Sequence, residues 1–597
     1  MCYIYVDEVR KIDEFEASYT YVDNDNKFDQ CFELFNGGKV FGIDTETTGL
    51  DPYKDKIRLL QIASPNNATA VIDMDCIGRS TIDKLSLLLQ GSAIKVFQNA
   101  KFDLKFLIRA GININGPIFD TMLAAQIVYD GNGPVNFGLE ALAEFYLEVK
   151  LPKQEQKSNW STLLREEQLQ YAARDAAVLL PLRESLIRCI KEARLVEICK
   201  LEFDCLWAVV DMELSGIALN MEKWQQLYDS YAFKQKEEKL KLNRAFGYGT
   251  VQVNLFGEET YDGINLDSQT QVIKALKNKG ITLESTSHSQ LMEHKDESEL
   301  IVSLIEYRRL TKAIQGFLYP IPTYINAASG RLHPSYRQIG SSSGRFACNS
   351  PNIQQIPRGK EFRECFVPQS GNKFVIADYS QIELRVAAEI AQDRTMIEAY
   401  QKGQDLHALT AALIENKKLN QVTKEERQAA KAVNFGLIYA MGARGLQNYA
   451  KTVYGIHMTL EEAELFRGRF FKAYEGIAQW HAAVKRSNNV KESRTLGGRR
   501  CVYTQEPGIT ALLNIPVQGT AADIAKRALG LVAPVVKKLS GYIAATVHDE
   551  ILLEVPAARA YEAAMELKRI MEAAGAFYLK KVPVTAETII ADSWAEK

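Results

Sequence analysis

Twice in the C-terminal half of this sequence an aspartate ends or turns an apolar strand. Asp378 closes Phe374-Val375-Ile376-Ala377, and Asp549 lies in Val547-His548-Asp549-Glu550-Ile551. A carboxylate in such a place costs stability unless a cation or a hydrogen bond compensates it. The fold must therefore bring compensation to both. Between them, a helical stretch carries Arg427, Lys431, Phe435 and Tyr439 at intervals of four. Steps of four drift about 40° around a helix, so these side chains form an oblique stripe. Taken alone, the stripe fits an amphipathic helix with a basic side. With a strand-borne carboxylate on either flank, it suits metal-assisted chemistry on a nucleoside triphosphate.

A chain of 597 residues is too long for one core, so three or four domains are expected. Its 46% apolar and 24% charged residues are those of a soluble globular protein. No apolar run is long enough to span a bilayer, and the first residues lack the basic and apolar regions of a signal peptide. The nine cysteines are scattered without Cys-x-x-Cys, which favours a reducing compartment over a disulfide framework or structural zinc. A net charge of −2 does not point to nucleic acid. The local cluster Lys485, Arg486, Lys491, Arg494, Arg499 and Arg500 reads either as a solvated surface or as a phosphate-backbone contact. Its place between the basic stripe and Asp549 favours the contact.

Short apolar strands at Val40 to Ile43, Ile57 to Ala63, Ala70 to Ile72 and Ile94 to Phe97 alternate with helical patterns. A long helix is predicted from about Glu166 through Glu197, closing an α/β domain. A helical region rich in Lys and Glu follows to about residue 325, interrupted by a Gly/Asn/Thr-rich insertion near Gly247 to Asn265. From about 330 the pattern is mixed, then strongly helical from about 392 to 490, then mixed again.

Asp44 and Glu46 follow the Val40 strand, and alternation puts both on one side. Two carboxylates on one face, with no basic residue between them, make a site for hard divalent cations, although solvated acids at a strand end give the same spacing. Asp103 lies in Asn99-Ala100-Lys101-Phe102-Asp103 after another strand. Tyr171 and Asp175 share a helix face at i and i+4. This set resembles the three motifs of the proofreading 3′–5′ exonucleases, with Asp44, Glu46, Asp103 and Asp175 matching the acids and Tyr171 the tyrosine. The resemblance implies a ribonuclease H-like fold, an active nuclease, and two divalent ions held by the four acids, with Tyr171 orienting the attacking water.

The stretch from Asp378 through Tyr379, Gln381, Glu383 and Arg385 resembles the first catalytic motif of the family A DNA polymerases. Arg427 to Tyr439 resembles the second, and Val547-His548-Asp549-Glu550 the third. The likeness implies that Asp378, Asp549 and the Tyr379 backbone hold two Mg²⁺, which Mn²⁺ can replace. Two more Mg²⁺ are implied at the exonuclease site. Glu550 and His548 would support the centre and the primer end. Arg427 and Lys431 would take the triphosphate, Phe435 the sugar and base, and Tyr439 the template side. His407, in Asp405-Leu406-His407, would contact a phosphate. Gln381 and Glu383 would line the nucleotide, with Glu383 blocking a ribose 2′-hydroxyl. Arg345, Asn352, Gln354, Asn514 and Gln518 look like minor-groove and primer–template contacts, joined by His548 and Arg499. Minor-groove acceptors are nearly the same for all correct pairs, so such contacts test geometry without reading sequence. Family members usually have glycine after the tyrosine of the second motif, where this chain has Ala440; Thr510 stands where some have arginine.

The expected architecture is multidomain α/β, a ribonuclease H-like exonuclease followed by a right-hand polymerase. The expected boundaries are exonuclease 1–195, thumb 196–330, first palm part 331–391, fingers 392–504 and second palm part 505–597. No 5′ nuclease domain is expected ahead of the exonuclease. The expected partners are primer–template DNA and dNTPs, with helicase, primase or other replisome proteins beside them. A monomer without a membrane is expected, in the cytoplasm of a bacterium or phage-infected host or in an organellar matrix. Rival readings are a translesion polymerase of the same family, a ribonuclease D-type nuclease with a helical partner, and a non-catalytic DNA-binding protein.

Overall fold

The computed structural model describes residues 13–596, apart from 67, 132–135, 153–154, 156–157, 249–250, 254–258, 262 and 488. The N-terminal part is built on strands β1 (Thr20–Val22), β2 (Val40–Thr47), β3 (Ile57–Ala63), β4 (Thr69–Asp73), β5 (Ile94–Phe97) and β6 (Ile118–Asp120), in a six-stranded sheet ordered β1-β4-β3-β2-β5-β6. β2 is antiparallel to β3 and parallel to β5, so its C-terminal end opens where helices enter. Helix α1 (Ala100–Arg109) starts there. The buried Asp120 carboxylate fastens it, accepting from Ala100 N at 2.8 Å and from Leu123 N at 3.0 Å, so one side chain caps two helices.

Helix α2 (Glu166–Glu192) crosses this sheet, Ala172, Ala173, Ala176 and Leu179 being fully buried. It stops short of the expected end. Arg194 has φ +57°, a left-handed residue that breaks the helix before α3 (Val196–Ser215) begins. One side of α3, at Leu206 and Val210, joins the core of the six-stranded sheet. The other, at Cys205, Ala208, Val209 and Met212, joins the large core of the C-terminal half. It is a shared joint between two cores.

Helices α4 (Met221–Phe246) and α5 (Glu299–Ala313) pack as a pair, with their own small core of Leu242, Leu276, Ile301 and Leu304 beyond them. The insertion near Gly247 to Asn265 lies partly outside the described residues; its described backbone pairs Val251–Val253 with Glu259–Tyr261.

Strands β7 (Ser335–Arg337) and β8 (Ala347–Asn349) form a hairpin. The second main sheet is fully antiparallel and ordered β10-β11-β9-β12, from β9 (Asn372–Tyr379), β10 (Tyr542–Val547), β11 (Glu550–Pro556) and β12 (Ala586–Ala591). Helix α6 (Ile382–Ala391) follows β9. The helical region contains α7 (Leu406–Glu415) and α8 (Lys424–Leu437). Beneath the sheet run α9 (Ile509–Lys538) and α10 (Ala560–Tyr578). Among the described residues no helix is long and apolar enough to cross a membrane, and the described cysteines are free thiols.

Candidate active sites

In the N-terminal part, strand alternation turns Asp44 and Glu46 to one side of β2, where α2 brings Asp175. Oxygens of these three carboxylates lie within 4.8 Å of one another. Burial first, then the neighbouring acids, hold Asp44 and Glu46 well above the usual carboxylate range. Burial pushes Asp175 up to about 7 although the Tyr171 hydroxyl hydrogen-bonds it. Acids so crowded retain protons unless a cation replaces them, and an all-oxygen set suits a hard divalent ion. Asp103 adds a fourth acid whose charge raises both Asp44 and Glu46. It is 3% exposed and accepts from Thr45 Oγ1 at 2.6 Å. Burial raises it to about 7. Thr45 is a positioning residue that the sequence reading missed, because its partner Asp103 lies 58 residues along the chain. Tyr171 packs against Trp160, ring centroids 6.3 Å apart.

The second site lies on the antiparallel sheet. Asp378 is the register partner of Glu550, and Tyr379 N donates to the Asp549 carbonyl at 3.4 Å. Asp378, near the end of β9, and Asp549, in the turn that leads into β11, thus lie side by side along the backbone, both half-buried. The turn between β10 and β11 is only His548-Asp549, and His548 has φ +60°, a conformation that favours glycine. Glu550 is 4% exposed and turned to structural partners, accepting from Trp594 Nε1 at 2.6 Å with Arg363 Nη1 at 3.7 Å. Arg385 anchors the turn after Asp378 by donating to Ser380 O at 2.7 Å and Thr585 Oγ1 at 2.9 Å. A lone arginine in the apolar helix run Ile382 to Ala391 was the available signal for it.

The stripe departs from the expected single helix at one position: Arg427, Lys431 and Phe435 lie on α8, which ends at Leu437, and Tyr439 lies in the turn that follows. Arg427, Lys431, Phe435 and Tyr439 are all half-buried, while Ala430, Val433, Asn434 and Leu437 are sealed behind them. Arg427 Nε rests on Asp405 Oδ2 at 2.7 Å. His407 sits deeper than expected for a phosphate contact. It is 2% exposed, Asn434 Nδ2 lies 2.9 Å from its Nδ1, and burial pushes its imidazole down to about 4. In this arrangement it is a neutral support under Phe435. Ala440 has φ +59°, so alanine holds a left-handed turn that glycine would adopt at about 1 kcal/mol less cost.

Glu383 is bridged by Arg345 on one oxygen and by the Tyr439 hydroxyl on the other. Arg345 also donates to Gln518 Oε1 at 3.1 Å. Asn514 and Gln518, four apart on α9, share this face. Tyr400 donates to Gln381 Oε1 at 3.1 Å. Gln354 Nε2 reaches Thr546 O at 3.4 Å, and Asn352 caps the short turn before it. Arg345, Glu383, Tyr439 and Gln518 therefore form one hydrogen-bonded group, while Gln354 is tied to Thr546 on β10 and Gln381 follows Asp378 by three residues.

Arg499 does not. It is 5% exposed, pairing with Glu202 of α3 and with Asp523 at 2.8 Å, and Lys526 pairs with the same Glu202 at 2.5 Å. A Cβ at Gly344 (φ +80°) would meet Arg499 Nε at 2.5 Å, so glycine permits that close approach. A guanidinium held this way is a structural cation, and the expected DNA contact is withdrawn for it. Arg500 donates to Val128 O at 2.8 Å and Arg494 to Ala193 O at 3.3 Å, so they join the two halves. Of the basic cluster, Lys485, Arg486 and Lys491 are exposed.

Residues 249–596 match the family described as DNA polymerase family A, and residues 19–191 match a 3′–5′ exonuclease family. The chain is 33% identical to DNA polymerase I of Aquifex aeolicus, over 97% of this chain and 100% of that protein. It is 27% identical to DNA polymerase I of Pseudomonas aeruginosa, over 97% of this chain and 66% of that longer protein. Its fold superposes on the Pol1 POL domain of M. smegmatis, solved in complex with DNA primer-template and dNTP. The TM-score is 0.82 at 24% identity, covering 97% of this chain and 99% of that one.

Proposed function

The chain belongs to DNA polymerase family A, a template-directed DNA polymerase with a 3′–5′ proofreading exonuclease, and on that premise we propose which of its residues carry each reaction. Primer extension is assigned to Asp378 and Asp549, and excision to Asp44, Glu46, Asp103 and Asp175. The observation that carries this reading is the register of β9 against β11, which puts Asp378 opposite Glu550 and beside Asp549. The proposed division is exonuclease 1–195, thumb 196–330, palm 331–391 with 505–597, and fingers 392–504, the first thumb helix being the joint α3.

The acids at both sites fit Mg²⁺, which when bound would lower the charge barrier to phosphoryl transfer and activate the attacking oxygen. The chain's own residues do the positioning. Asp378 and Asp549 hold their carboxylates at one corner, with Glu550 fixed by Trp594 behind them. Arg427 and Lys431 would meet the triphosphate and stabilise the charge that moves onto pyrophosphate. Glu383, held from both sides, would present a wall to the 2′ position of the sugar. At the other site Tyr171 would orient water, and Thr45 keeps Asp103 in place. Primer–template DNA and dNTPs are the proposed substrates, with replisome proteins as further partners, a monomeric state, and a bacterial, phage-infected or organellar setting.

Asp378→Ala or Asp549→Ala should abolish extension and leave single-strand degradation intact. Asp44→Ala should do the reverse and raise misincorporation. Extension that survives Asp378→Ala, or degradation that survives Asp44→Ala, would remove the corresponding assignment.

A further inference from the structure

A single carboxylate, outside both groups of catalytic acids, is shared by the helix that carries Asp103 and the hairpin that carries Arg345. Glu213, in the last turn of α3, is 4% exposed. Its Oε1 accepts from Lys101 Nζ at 2.7 Å and its Oε2 from Lys105 Nζ at 2.6 Å. Both lysines lie on α1, four residues apart and therefore on one face. Asp103 is two residues from each, so it points the other way, to Thr45. The same Oε1 accepts from the Tyr336 amide of β7 at 2.8 Å, and Lys101 also donates to Tyr336 O at 2.8 Å. Strand β7 is one arm of the hairpin with β8, and the connection between them holds Arg345, whose carbonyl accepts from Gly340 N at 2.8 Å.

We propose that Glu213 is a positioning residue for both reactions. It would set α1, and so Asp103, against β2 while holding the hairpin whose far end places Arg345 on Glu383 and Gln518. The inference rests on the two-site reading above. Its physical content is a contiguous network with no step through solvent: Asp103 helix, two ammonium groups, one carboxylate, one strand amide, one hairpin. A buried carboxylate satisfied by two cations and an amide holds its partners more firmly than a surface pair would.

The test compares the full chain with Glu213→Gln and Lys105→Met. Readouts are single-strand degradation against Mg²⁺ concentration, extension of a matched primer against dNTP concentration, and thermal unfolding. Loosening a group behind a metal-site acid typically costs 10–100-fold in metal affinity or activity, so Glu213→Gln should raise the Mg²⁺ needed for half-maximal degradation about tenfold. It should also raise the dNTP KM of extension about threefold with kcat nearly kept, through Arg345. Lys105 touches α1 and Glu213 but not the hairpin, so Lys105→Met should shift only the Mg²⁺ requirement. A folded Glu213→Gln whose Mg²⁺ requirement stays within about twofold of wild type would overturn the proposal. So would equal losses of both activities that simply track the folded fraction. If Glu213→Gln does not fold, an unchanged Mg²⁺ requirement in Lys105→Met overturns it. Asp44→Ala and Asp378→Ala serve as controls: where each removes its own activity, a negative result at Glu213 counts against this inference alone.

Discussion

Arg427 Nε donates to Asp405 Oδ2 at 2.7 Å, while Asp405 Oδ1 caps α7 through His407 N at 2.8 Å. The arginine assigned to the triphosphate is thus parked on a carboxylate in this conformation. Burial alone would raise the Asp405 carboxyl, but Arg427 and the helix amides hold it below its ordinary value. On that assignment a bound triphosphate would replace Asp405 as the partner of Arg427. Asp405→Asn keeps an oxygen for the cap and removes the competing charge. A half-exposed ion pair is worth about 0–1 kcal/mol, so the dNTP KM should fall by up to about fivefold with kcat little changed. Steady-state incorporation on one template checks this, and an increased KM would count against the parked-arginine reading.

Arg499 and Lys491 make opposite predictions although the sequence places them in one basic cluster. Removing Arg499 leaves Glu202 with Lys526 and Asp523 with the Thr495 hydroxyl, and breaking a buried pair from one side costs about 3–5 kcal/mol. Arg499→Ala should therefore lower the unfolding free energy by that amount in chemical denaturation. Lys491 is exposed, so Lys491→Ala should leave unfolding unchanged. If Lys491 meets a phosphate, that change should lower the salt dependence of primer–template binding by about one unit of slope. Arg499→Ala with normal stability and a reduced salt slope would restore the DNA contact that the structure led us to withdraw.

Asp211 gives a pH dependence with a definite sign. It lies on α3 and accepts at 2.8 Å from Ile543 N on β10, the edge strand of the antiparallel sheet. Burial pushes its carboxyl up from 3.8 to about 6. A raised folded-state value means that its stabilising contribution is complete below about pH 3.8 and is lost as pH rises through about 6. At about 1.36 kcal/mol per unit, roughly 3 kcal/mol is at stake across that window. Asp211→Asn can still accept from Ile543 but does not titrate. Its stability relative to wild type should climb between about pH 4 and pH 7 and then level off. A flat difference across that range, followed by melting temperature, would rule out the linkage.

What the sequence disclosed was local in origin. Alternation on one strand was enough to align Asp44 with Glu46, and four-residue steps aligned Tyr171 with Asp175 on one helix and Arg427, Lys431 and Phe435 on another, whereas Tyr439 falls in the turn past the end of that helix. What it hid depends on partners far along the chain. Nothing near Arg499 announces Glu202, and nothing near Glu550 announces Trp594, so an exposed reading and a buried reading look alike. The break at Arg194 was hidden for a different reason, since a left-handed backbone at a charged residue has no helical-period signature. Buried His407 shows the same limit: the histidine was found, but its depth is set by Asn434 on a neighbouring helix.

Both oxygens of the Glu383 carboxylate are spoken for. Arg345 takes one and the Tyr439 hydroxyl the other, and that phenol is itself pushed up by burial and by Glu383. A carboxylate clamped between two elements cannot swing aside for a larger sugar, which is what exclusion of a 2′-hydroxyl requires. Glu383→Ala removes the wall and should lower the ratio of kcat/KM for dNTP over rNTP by about 100-fold, the scale on which a shaped pocket distinguishes one hydroxyl. Tyr439→Phe leaves the wall but frees one side of it. A hydrogen bond to a charged group is worth about 1.5–3 kcal/mol, and only part of that reaches sugar choice, so the ratio should fall by less than about tenfold. The order of the two effects matters more than their size. If Tyr439→Phe relaxes sugar choice more than Glu383→Ala, discrimination belongs to the turn after α8 and not to the glutamate.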